Sequence, residues 1–408
     1  MNTSFPKNKI KVLLLEGVHS IAVERFKENE YAQVILHPKA LPEEQLIKEI
    51  ADAHIVGIRS KTKLTKEVLA HADKLMAIGC FCIGTNQVDL DAATEKGIAV
   101  FNSPYSNTRS VAELVIAECV MLLRGIPHRS HQAHEGIWLK DADKSYELRG
   151  KTLGIIGYGH IGSQVSVLAE SMGMRVIYYD VVPKLPLGNA QSCKSLDGLL
   201  EKSDIVTLHV PADEGTYMMM NKDRIAQMKQ DSYLINLSRG SVVEIDALKD
   251  ALESNRLAGA AIDVFPEEPK SKNEKFKSSL QGLKNVILTP HIGGSTREAQ
   301  VNIGQDAAQK LISYIETGST VNSHTVPALN LSPQRETHRI LHIHKNVPGV
   351  LSSINSLMSD LGVNILGQFL KTNEQIGYVV LDVEKRDSQS ILEKVKSVEA
   401  TIRARMLW

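Results

Sequence analysis

Short apolar runs alternate with amphipathic stretches along most of the chain. Between residues 9 and 100, amphipathic stretches typical of helices begin near Val18, Glu43 and Lys66. The apolar runs between them are Lys11–Leu15, Val34–Leu36, Ile55–Ile58 and Leu75–Ile78. Runs of this length predict buried strands, and strands that alternate with helices favour a parallel sheet. This part of the chain is therefore predicted to form an α/β domain.

A second segment, Lys151–Asp180, repeats the alternation and adds a glycine motif. Two apolar runs flank Gly157-x-Gly159-x-x-Gly162 and an amphipathic stretch, and Asp180 closes the second run. In such a unit the glycines permit a tight turn, the approach of a pyrophosphate and close packing of the helix on the strand. N–H groups at the helix start favour the phosphate charge, and Asp180 can accept from the ribose hydroxyls. The segment predicts an NAD site, although Lys184 leaves NADP open.

Four more apolar runs follow, and polar residues come at or just after the end of each. The runs are Asp204–Val210, Tyr233–Leu237, Ala258–Val264 and Val286–Pro290. The carboxyl ends of parallel strands form the cofactor cleft of an open α/β sheet, so these polar residues are expected to converge. They are His209, Pro211, Ser238, Arg239, Asp263, Glu268, His291, Gly293 and Gly294.

Three of these residues suit the oxidation of a secondary alcohol, which loses a hydride from carbon and a proton from oxygen. His291 can take the proton, because imidazole titrates near neutral pH. Glu268 can fix the tautomer of that ring and stabilise the imidazolium. Arg239 can hold an α-carboxylate and polarise the adjacent carbonyl in the reverse direction. A 2-hydroxy acid carries both groups on neighbouring carbons and is the expected substrate class.

Composition narrows the possible partners. The 408 residues are 43% hydrophobic and 23% charged, as in soluble globular proteins of roughly two to four domains. Lys plus Arg equals Asp plus Glu at 47 each, so the net charge indicates neither nucleic acid nor an acidic membrane as a partner. The longest apolar helical stretch, Val111–Leu123, contains Glu113 and Glu118 and is too short to span a bilayer. Without a signal-peptide pattern, we expect a cytoplasmic protein.

Two clusters have the residue types of metal sites but are interpreted otherwise. Cys80 and Cys82 are expected as core thiols on one face of a strand, because no second ligand pair follows. His128, His131 and His134 recur at three-residue spacing in a segment that is polar on all sides. A solvated or subunit-contacting helix explains that segment better, and no metal is expected.

A cationic cluster follows the strand predicted at Ile55–Ile58. Arg59, Ser60 and Lys61 place two cations and a hydroxyl beyond the carboxyl end of that strand, where open parallel sheets bind ligands. The cluster suits an anionic group on a substrate. Surface solubility explains the same residues equally well from their spacing alone.

Four motifs closely resemble those of the D-isomer-specific 2-hydroxyacid dehydrogenases, and the resemblance extends from residue 9 to residue 408. The motifs are Gly157-Tyr158-Gly159-His160-Ile161-Gly162, Leu237-Ser238-Arg239-Gly240, Asp263-Val264-Phe265-Pro266-Glu267-Glu268-Pro269 and Thr289-Pro290-His291-Ile292-Gly293-Gly294-Ser295-Thr296. The resemblance implies that Arg239, Glu268 and His291 are the catalytic set. Glu268 is chosen over Glu267 because it directly precedes the last proline of its motif. NAD is the implied cofactor, with Asp263 near the nicotinamide carboxamide.

The same resemblance implies the remaining ligand contacts. The residues implied for NAD are Gly157, Gly159, His160, Ile161, Gly162, Asp180, His209, Pro211, Ser238, Asp263, Gly293 and Gly294. The implied reaction oxidises a phosphorylated 2-hydroxy acid, 3-phospho-D-glycerate, to 3-phosphooxypyruvate. Arg59 and Ser60 would hold its phosphate, helped by Trp138 and Lys140 from a neighbouring subunit. The resemblance also implies a homotetramer joined through cofactor domains and tails.

The resemblance sets the domain plan as well. Residues 1–104 and 296–317 are expected to form a discontinuous substrate domain, to which the chain returns through a helix at Glu298–Glu316. Residues 105–295 are expected to form the NAD-binding Rossmann domain, so that two parallel-sheet domains of Rossmann-like or flavodoxin-like type result. Residues 318–337, rich in Ser, Thr, Asn and Pro, are expected to be a linker.

Residues 338–408 show the order strand, helix, strand, strand, helix, strand, which is the ferredoxin-like plan. Within it, 346–351 and 362–365 resemble the ACT regulatory domain, which binds amino acids between paired subunits. L-serine is the implied effector, held by His344 and Asn346, with Asn364 from across the interface. Amides can satisfy both ends of an amino acid. Without the resemblance, capping of the following helix explains these residues too.

Two alternatives remain open. A dehydrogenase of a non-phosphorylated 2-hydroxy acid, such as 2-hydroxyglutarate, would use the same cationic pocket. A non-catalytic NAD-sensing scaffold is the other, since relatives of this fold include transcriptional corepressors. The presence of Arg239, Glu268 and His291 and of the effector tail argues against a scaffold.

Overall fold

The chain divides into two compact units in a computed structural model that describes residues 5–269, 274–334, 336–385 and 388–407. One unit comprises Met1–Ser106 with Gln300–Trp408, and the other comprises Asn107–Ala299. Two parallel sheets and an antiparallel sheet confirm the predicted α/β class. Of the predicted domain ranges, residues 1–4, 270–273, 335, 386–387 and 408 lie outside the described residues.

The first unit contains a five-stranded parallel sheet. Its strands are β1 (Lys11–Leu14), β2 (Gln33–Leu36), β3 (Ile55–Ile58), β4 (Ala77–Cys80) and β5 (Ala99–Asn102). The helices between them are α1 (Ser20–Glu28), α2 (Glu43–Ile50), α3 (Lys66–Ala70) and α4 (Leu90–Glu95). The strand order is β2-β1-β3-β4-β5. Because the order reverses between β1 and β3, the loops after these two strands border one crevice.

The second unit contains a seven-stranded parallel sheet. Its helices are α5 (Thr108–Arg124), α6 (Ile126–His134), α7 (His160–Ser171), α8 (Leu196–Leu200), α9 (Lys222–Gln227) and α10 (Ile245–Glu253). The strands are β6 (Thr152–Ile156), β7 (Arg175–Tyr179), β8 (Gln191–Ser192), β9 (Ile205–Leu208), β10 (Ser232–Asn236), β11 (Leu257–Ile262) and β12 (Val286–Leu288). Their order is β12-β11-β10-β9-β6-β7-β8. The reversal between β6 and β9 places a second crevice beside the glycine motif.

The tail forms a four-stranded antiparallel sheet. Its elements are β13 (His338–Lys345), α12 (Val350–Asp360), β14 (Ile365–Thr372), β15 (Ile376–Val383), α13 (Ser388–Lys396) and β16 (Thr401–Leu407). The strand order is β14-β15-β13-β16. This is the predicted ferredoxin-like arrangement, with α12 and α13 packed on one face of the sheet.

The other face of this sheet packs on the first unit. Helix α11 (Arg297–Thr317) returns the chain to that unit and shares a buried core with Leu341, Ile343 and Tyr378 of the tail. Arg405 Nη1 donates to the carbonyl of Ile315 at 2.9 Å and so caps the end of α11. The tail, predicted as a module of its own, is therefore part of one compact unit with the first sheet.

The segment between α11 and the tail is packed rather than extended. The Thr325 hydroxyl donates to the carbonyl of Ile98 at 2.7 Å and accepts from the Val100 N–H at 3.0 Å. Val326 and Leu331 are buried in the core of the first unit. The Ser, Thr and Pro content that predicts a linker instead supplies hydrogen bonds along β5.

The structure tests the prediction that Cys80 and Cys82 are core thiols on one face of a strand. Cys80 ends β4 and is buried, but Cys82 lies beyond the strand, where its thiol donates to the Gly84 carbonyl at 3.2 Å. The prediction that both cysteines lie on one face of a strand was therefore wrong for Cys82, because β4 ends two residues before it.

None of the helices in the described part of the chain has the length and hydropathy needed to cross a membrane.

Candidate functional site

The glycine motif lies between β6 and α7, at the reversal of strand order. A Cβ on Gly157, whose φ is +91°, would lie 2.4 Å from the carbonyl oxygen of His209. A Cβ on Gly162 would lie 2.2 Å from the carbonyl oxygen of Gly157, so the helix sits directly on the turn. By contrast, the space around Gly159 is open to 4 Å. The close packing at Gly157 and Gly162 and the open space at Gly159 fit a pyrophosphate at the first turn of α7. His160 and Ile161 begin this helix.

Asp180 follows β7 and faces the same turn. Its Oδ2 accepts from the N–H of Tyr158 at 2.8 Å, and its Oδ1 accepts from the N–H of Val182 at 2.9 Å. These two bonds hold the carboxylate at the end of the strand. Each oxygen retains a further lone pair, so the carboxylate can still accept from ribose hydroxyls.

His209 follows β9 and lines the other side of the crevice, with the exposed Pro211 two residues on. Burial lowers the pKa of His209 to about 3, so the ring is neutral near pH 7. Its Nε2 lies 3.0 Å from the Thr207 hydroxyl. Within the described residues, its buried Nδ1 has no hydrogen-bond partner, and buried polar atoms normally have one. This nitrogen is therefore a buried polar atom that the described protein groups leave unsatisfied.

Arg239 lies in a tight turn after β10. The Asn236 amide holds this turn from both ends: Oδ1 accepts from the Ser238 N–H at 3.0 Å and hydroxyl at 2.8 Å, and Nδ2 donates to the Arg239 carbonyl at 3.0 Å. A Cβ on Gly240 would lie 2.0 Å from the carbonyl carbon of Phe265. The turn that carries Arg239 therefore packs against the backbone of the loop that carries Glu268.

Glu268 and His291 form a hydrogen-bonded pair, with 2.9 Å between Glu268 Oε2 and His291 Nδ1. The other carboxylate oxygen, Oε1, accepts from the Phe265 N–H at 3.2 Å and so anchors the acid. The side chains of Glu268 and His291 are 37% and 52% exposed. A histidine held through Nδ1 keeps Nε2 for proton exchange. The acid of this motif that reaches the imidazole is Glu268.

The pair perturbs both of its pKa values. The hydrogen bond that His291 donates to Glu268 raises the pKa of His291 above its ordinary 6.5, and the charges of Glu268 and Asp263 act in the same direction. Burial is the largest influence on Glu268 and pushes its pKa up. The bond to His291, the charge of His291, the Phe265 N–H and the charge of Arg239 outweigh it, so the pKa of Glu268 is lowered. Both shifts favour an ionised pair.

Asp263 holds the loop that carries His291. It is 1% exposed, and its Oδ1 accepts from the Thr289 hydroxyl at 2.6 Å and the Ile292 N–H at 2.8 Å. Its Oδ2 accepts from the N–H of Gly293 at 2.8 Å. His291 itself has a φ of +54°. The sequence indicated Asp263 as a cofactor contact, but not these bonds on both sides of the histidine.

Gly293 and Gly294 are required by close neighbours. A Cβ on Gly293 would lie 3.0 Å from Asp263 Oδ2, and one on Gly294 would lie 2.1 Å from Asn107 Nδ2. Glu118 on α5 was not among the predicted site residues, but it is 1% exposed and interacts with the charge of Asp263. Burial, followed by the charge of Asp263, raises the pKa of Glu118 to about 8. Its signal in the sequence is an acid, one of two with Glu113, within an otherwise apolar helical stretch.

Arg59 and Ser60 lie in the first unit, directly after β3. Glu16, which follows β1, accepts from three backbone N–H groups of their turn: Oε1 from Arg59 at 3.1 Å and Thr62 at 2.8 Å, and Oε2 from Lys61 at 2.9 Å. Ser60 is exposed and Arg59 is partly exposed. The turn lies at the reversal between β1 and β3, and Glu16 is a residue of it that the sequence analysis missed.

Trp138 and Lys140 lie in the second unit, on the segment after α6. Trp138 is 82% exposed. Arg129 holds this segment, with Nη1 donating to the Leu139 carbonyl at 2.8 Å and Nη2 to Asp141 Oδ1 at 2.9 Å. A cavity of about 350 Å³ lies beside this segment, at the amino ends of β10, β11 and β12. It is therefore at the edge opposite to Arg239, Glu268 and His291.

The predicted effector residues lie at two ends of the tail sheet. His344 is 4% exposed, and its Nδ1 donates to the Lys345 carbonyl at 2.8 Å. Asn346 Nδ2 donates to the Asn373 carbonyl at 2.8 Å. The Asn364 N–H donates to Glu384 at 3.2 Å, beside the opposite end of β13. One chain therefore brings His344 and Asn346 together but not Asn364.

Comparison with known proteins agrees with this geometry. Residues 116–293 match the NAD-binding domain of the D-isomer-specific 2-hydroxyacid dehydrogenases, and residues 340–403 match an ACT domain like that of the acetohydroxyacid synthase small subunit. The chain is 54% identical to D-3-phosphoglycerate dehydrogenase of Escherichia coli K12 over 407 residues, covering 99% of each. It is 52% identical to the Haemophilus influenzae enzyme of that name over 405 residues, again covering 99% of each.

A solved structure extends the comparison to the cofactor. D-lactate dehydrogenase from Aquifex aeolicus, complexed with NAD and lactic acid, superimposes with a TM-score of 0.66 at 29% identity. The match covers 78% of this chain and all of that one. NAD is thus the cofactor, as the glycine turn and Asp180 indicated. The chain belongs to the D-3-phosphoglycerate dehydrogenases within the D-isomer-specific 2-hydroxyacid dehydrogenase family, and it is an NAD-dependent oxidoreductase.

Proposed function

We propose that the chain oxidises 3-phospho-D-glycerate to 3-phosphooxypyruvate, the first step of the phosphorylated route to L-serine, with His291 as acid and base. The observation that carries this proposal is the Glu268–His291 pair at 2.9 Å, next to the turn of Arg239 and on the carboxyl edge of the sheet that bears the glycine motif. The division of the chain that gives the compact unit Asn107–Ala299 supports a cofactor domain at 105–295.

Each residue has a distinct task in this reaction. NAD, when bound, accepts the hydride from the carbinol carbon. His291 takes the hydroxyl proton on Nε2, since Nδ1 is bonded to Glu268, and the resulting imidazolium is stabilised by that carboxylate. Arg239 pairs with the α-carboxylate and orients the carbon that reacts. In the reverse direction, His291 returns the proton to the carbonyl oxygen.

This pairing predicts the pH dependence of the oxidation. The oxidation needs neutral His291, whose pKa is raised by Glu268, so the acidic limb of kcat/KM should lie above pH 6.5. Glu268→Gln removes the carboxylate, so the limb should move to lower pH, and kcat should fall at least about tenfold because the tautomer is less well fixed. Initial rates from pH 5 to 9 measure both. Glu267→Gln is the matched control and should leave the limb in place; a limb that Glu268→Gln does not move contradicts the pairing.

The substrate phosphate is proposed to bind to Arg59 and Ser60. A guanidinium and a hydroxyl suit a phosphate, and both follow β3 at a reversal of strand order, where ligands of open α/β sheets bind. Trp138 and Lys140 are proposed to complete the site from a neighbouring subunit. The 82% exposure of Trp138 supports a contact outside its own chain.

Glu16 should act through this turn. Glu16→Gln leaves one carbonyl oxygen in place of a carboxylate that accepts three N–H groups, so the turn loosens. We expect KM for 3-phosphoglycerate to rise about five- to twentyfold, as the loss of one or two hydrogen bonds gives, with KM for NAD within twofold. Glu30→Gln is the control. Glu30 is an exposed glutamate of the same unit whose backbone, like that of Glu16, has a positive φ, and its replacement should leave both KM values unchanged. An unchanged KM for 3-phosphoglycerate would separate Glu16 from substrate binding.

The tail is proposed to bind L-serine and to inhibit the enzyme. His344 and Asn346 of one chain and Asn364 of another would form the site, because one chain separates them by the length of β13. A paired-tail site is consistent with a homotetramer joined through cofactor domains and tails. The shared core of tail sheet and α11 offers a physical route from the effector to the first unit.

A steady-state assay tests the function. Formation of NADH from 3-phosphoglycerate and NAD should be observed, and L-serine but not D-serine should suppress it. Asn346→Ala should weaken this inhibition at least about tenfold, whereas Asn355→Ala, an exposed asparagine on α12, should not. Turnover that serine does not affect would contradict the effector site alone. An absence of turnover in both directions would contradict the substrate.

The second candidate activity is the reduction of 2-oxoglutarate to 2-hydroxyglutarate, which we propose as an additional reaction of the same site. It is favoured by the residue types at the two proposed anion sites, because Arg239 suits the α-carboxylate and Arg59 suits a distal anion. A carboxylate and a phosphate both accept bidentate hydrogen bonds from arginine.

We place the enzyme in the cytoplasm, in agreement with its free cysteines.

A further inference from the structure

Two stacked tyrosines lie beneath the loop that follows Asp180. The ring centroids of Tyr158 and Tyr178 are 3.9 Å apart with 20° between their planes. The residues are 3% and 1% exposed. Tyr158 belongs to the glycine motif, and Tyr178 belongs to β7. A buried tyrosine needs a partner for its hydroxyl, and both hydroxyls find theirs in the loop formed by residues 181–189.

The two hydroxyls tie this loop at two points. Tyr178 donates to the carbonyl of Lys184 at 2.7 Å. The Tyr158 hydroxyl accepts from the N–H of Leu187 at 3.2 Å and donates to Ser166 Oγ of α7 at 3.0 Å. Residues 181–189 contain neither helix nor strand. The side-chain hydrogen bonds from the two tyrosines therefore hold this loop in place of backbone bonds of a helix or sheet.

The ends of the 181–189 loop are held separately. The N–H of Val182 donates to Asp180 at 2.9 Å, and the N–H of Asn189 donates to Glu170 Oε1 at 3.1 Å. Gly188 has a φ of +56°, and a Cβ there would collide with the Glu170 carboxylate. The tyrosines therefore determine the middle of the loop, between two anchored ends.

The side chains that this loop presents are apolar and exposed. Val181 is 86% exposed, Val182 54% and Leu185 90%. Three such exposed apolar side chains within five residues of one loop favour a binding surface. The loop begins directly after the acid proposed to hold a ribose of NAD. The adenine ring, which is attached to that ribose and has two apolar faces, is the ligand whose chemistry fits this position.

We propose that Tyr158 and Tyr178 are positioning residues for NAD, which act by holding the 181–189 loop as the wall for the adenine ring. The inference rests on the proposed function only in the assignment of Asp180 to the adenosine ribose. Neither tyrosine touches the cofactor. Their hydroxyls set the conformation of the loop, and the loop sets the affinity for the adenosine half.

The experiment measures binding of two probes to the full-length protein, NADH by fluorescence and ADP-ribose by calorimetry. Tyr158→Phe and Tyr178→Phe keep the stacked rings and remove only the hydroxyls. Each should raise the dissociation constants of both probes about three- to tenfold, as the loss of one or two hydrogen bonds gives, and the double variant should raise them further. The values of kcat at saturating NAD and KM for 3-phosphoglycerate should stay within twofold.

Two further variants make the result decisive. Leu185→Ser alters a side chain that is 90% exposed, so it should fold normally and weaken ADP-ribose binding at least threefold, about the effect of losing one apolar contact. Tyr233→Phe, at the amino edge of the same sheet, is the control for loss of a tyrosine hydroxyl and should leave both dissociation constants unchanged. Unchanged ADP-ribose affinity in the tyrosine variants or in Leu185→Ser overturns the inference. Because binding is measured without substrate, the result is independent of whether 3-phosphoglycerate is oxidised.

Discussion

His291→Asn should reduce kcat for the oxidation of 3-phosphoglycerate by about 10²- to 10⁴-fold, which is the usual contribution of a general acid or base. Asparagine is the appropriate substitution because position 291 has a φ of +54°, and asparagine tolerates this left-handed region better than alanine. The amide can still hydrogen-bond to Glu268, but it cannot take up a proton near neutral pH. The dissociation constant of NADH should remain within twofold, which a fluorescence titration measures.

A second histidine–glutamate pair provides the control for this variant. His131 and Glu135 on the surface lie 3.2 Å apart, and His131→Asn should leave kcat within twofold. Activity retained by His291→Asn would exclude His291 as the acid and base. A loss of NADH binding together with activity would instead assign the histidine to the structure of the cofactor site.

The parallel sheets could be predicted from the sequence because their signals are local. Runs such as Ile55–Ile58 are buried along their whole length, and a buried parallel strand reads as a continuous apolar run. The glycine turn was equally readable, since the close approaches at Gly157 and Gly162 exclude any side chain. Each of these signals is contained within a short stretch of sequence. The order of the strands within each sheet was not predicted and comes from the structure.

The parts that could not be predicted depend on contacts between distant residues. Glu16 lies more than forty positions before the turn that it holds, and nothing in its neighbourhood marks it. Thr325 bonds to the backbone of β5 across more than two hundred positions, so a segment with the composition of a linker is packed. The tail was predicted as a module of its own because residues 318–337 have the composition of a linker and residues 338–408 show the ferredoxin-like order of strands and helices. The apolar face toward α11 could only be recognised once the sheet was formed.

The residue types of the catalytic set could be predicted from the sequence, but the hydrogen bonds that hold these residues in place could be predicted only in part. Polar residues after successive parallel strands meet at one edge, which brings Arg239, Glu268 and His291 to the same region. The hydrogen bonds that hold the loop of His291 could not be predicted in this way. Asp263 accepts from residues on both sides of His291, and the sequence pattern shows only that an acid follows β11.

Asp263→Asn is expected to damage the site and the fold together. The carboxylate is 1% exposed and accepts three hydrogen bonds, whereas an asparagine amide turns one acceptor into a donor that opposes an N–H or hydroxyl. Leaving one or two buried donors unpaired should lower the free energy of unfolding by about 2–4 kcal/mol. The histidine loop should then shift, and a displacement of about 1 Å can reduce kcat about a hundredfold. Denaturant unfolding and steady-state kinetics at a temperature where the variant is folded measure the two effects.

The matched control for Asp263 lies at the opposite edge of the same sheet. Asp204 accepts from the N–H of Thr152 at 2.8 Å and from Lys229 Nζ at 2.5 Å, and Asp204→Asn should reduce stability by about 1 kcal/mol without changing kcat. If Asp263→Asn raises the dissociation constant of NADH while kcat at saturating NAD is unchanged, the acid acts on the cofactor and not on the loop. If kcat falls while NADH binds normally, the three hydrogen bonds that surround His291 are what the catalytic histidine depends on.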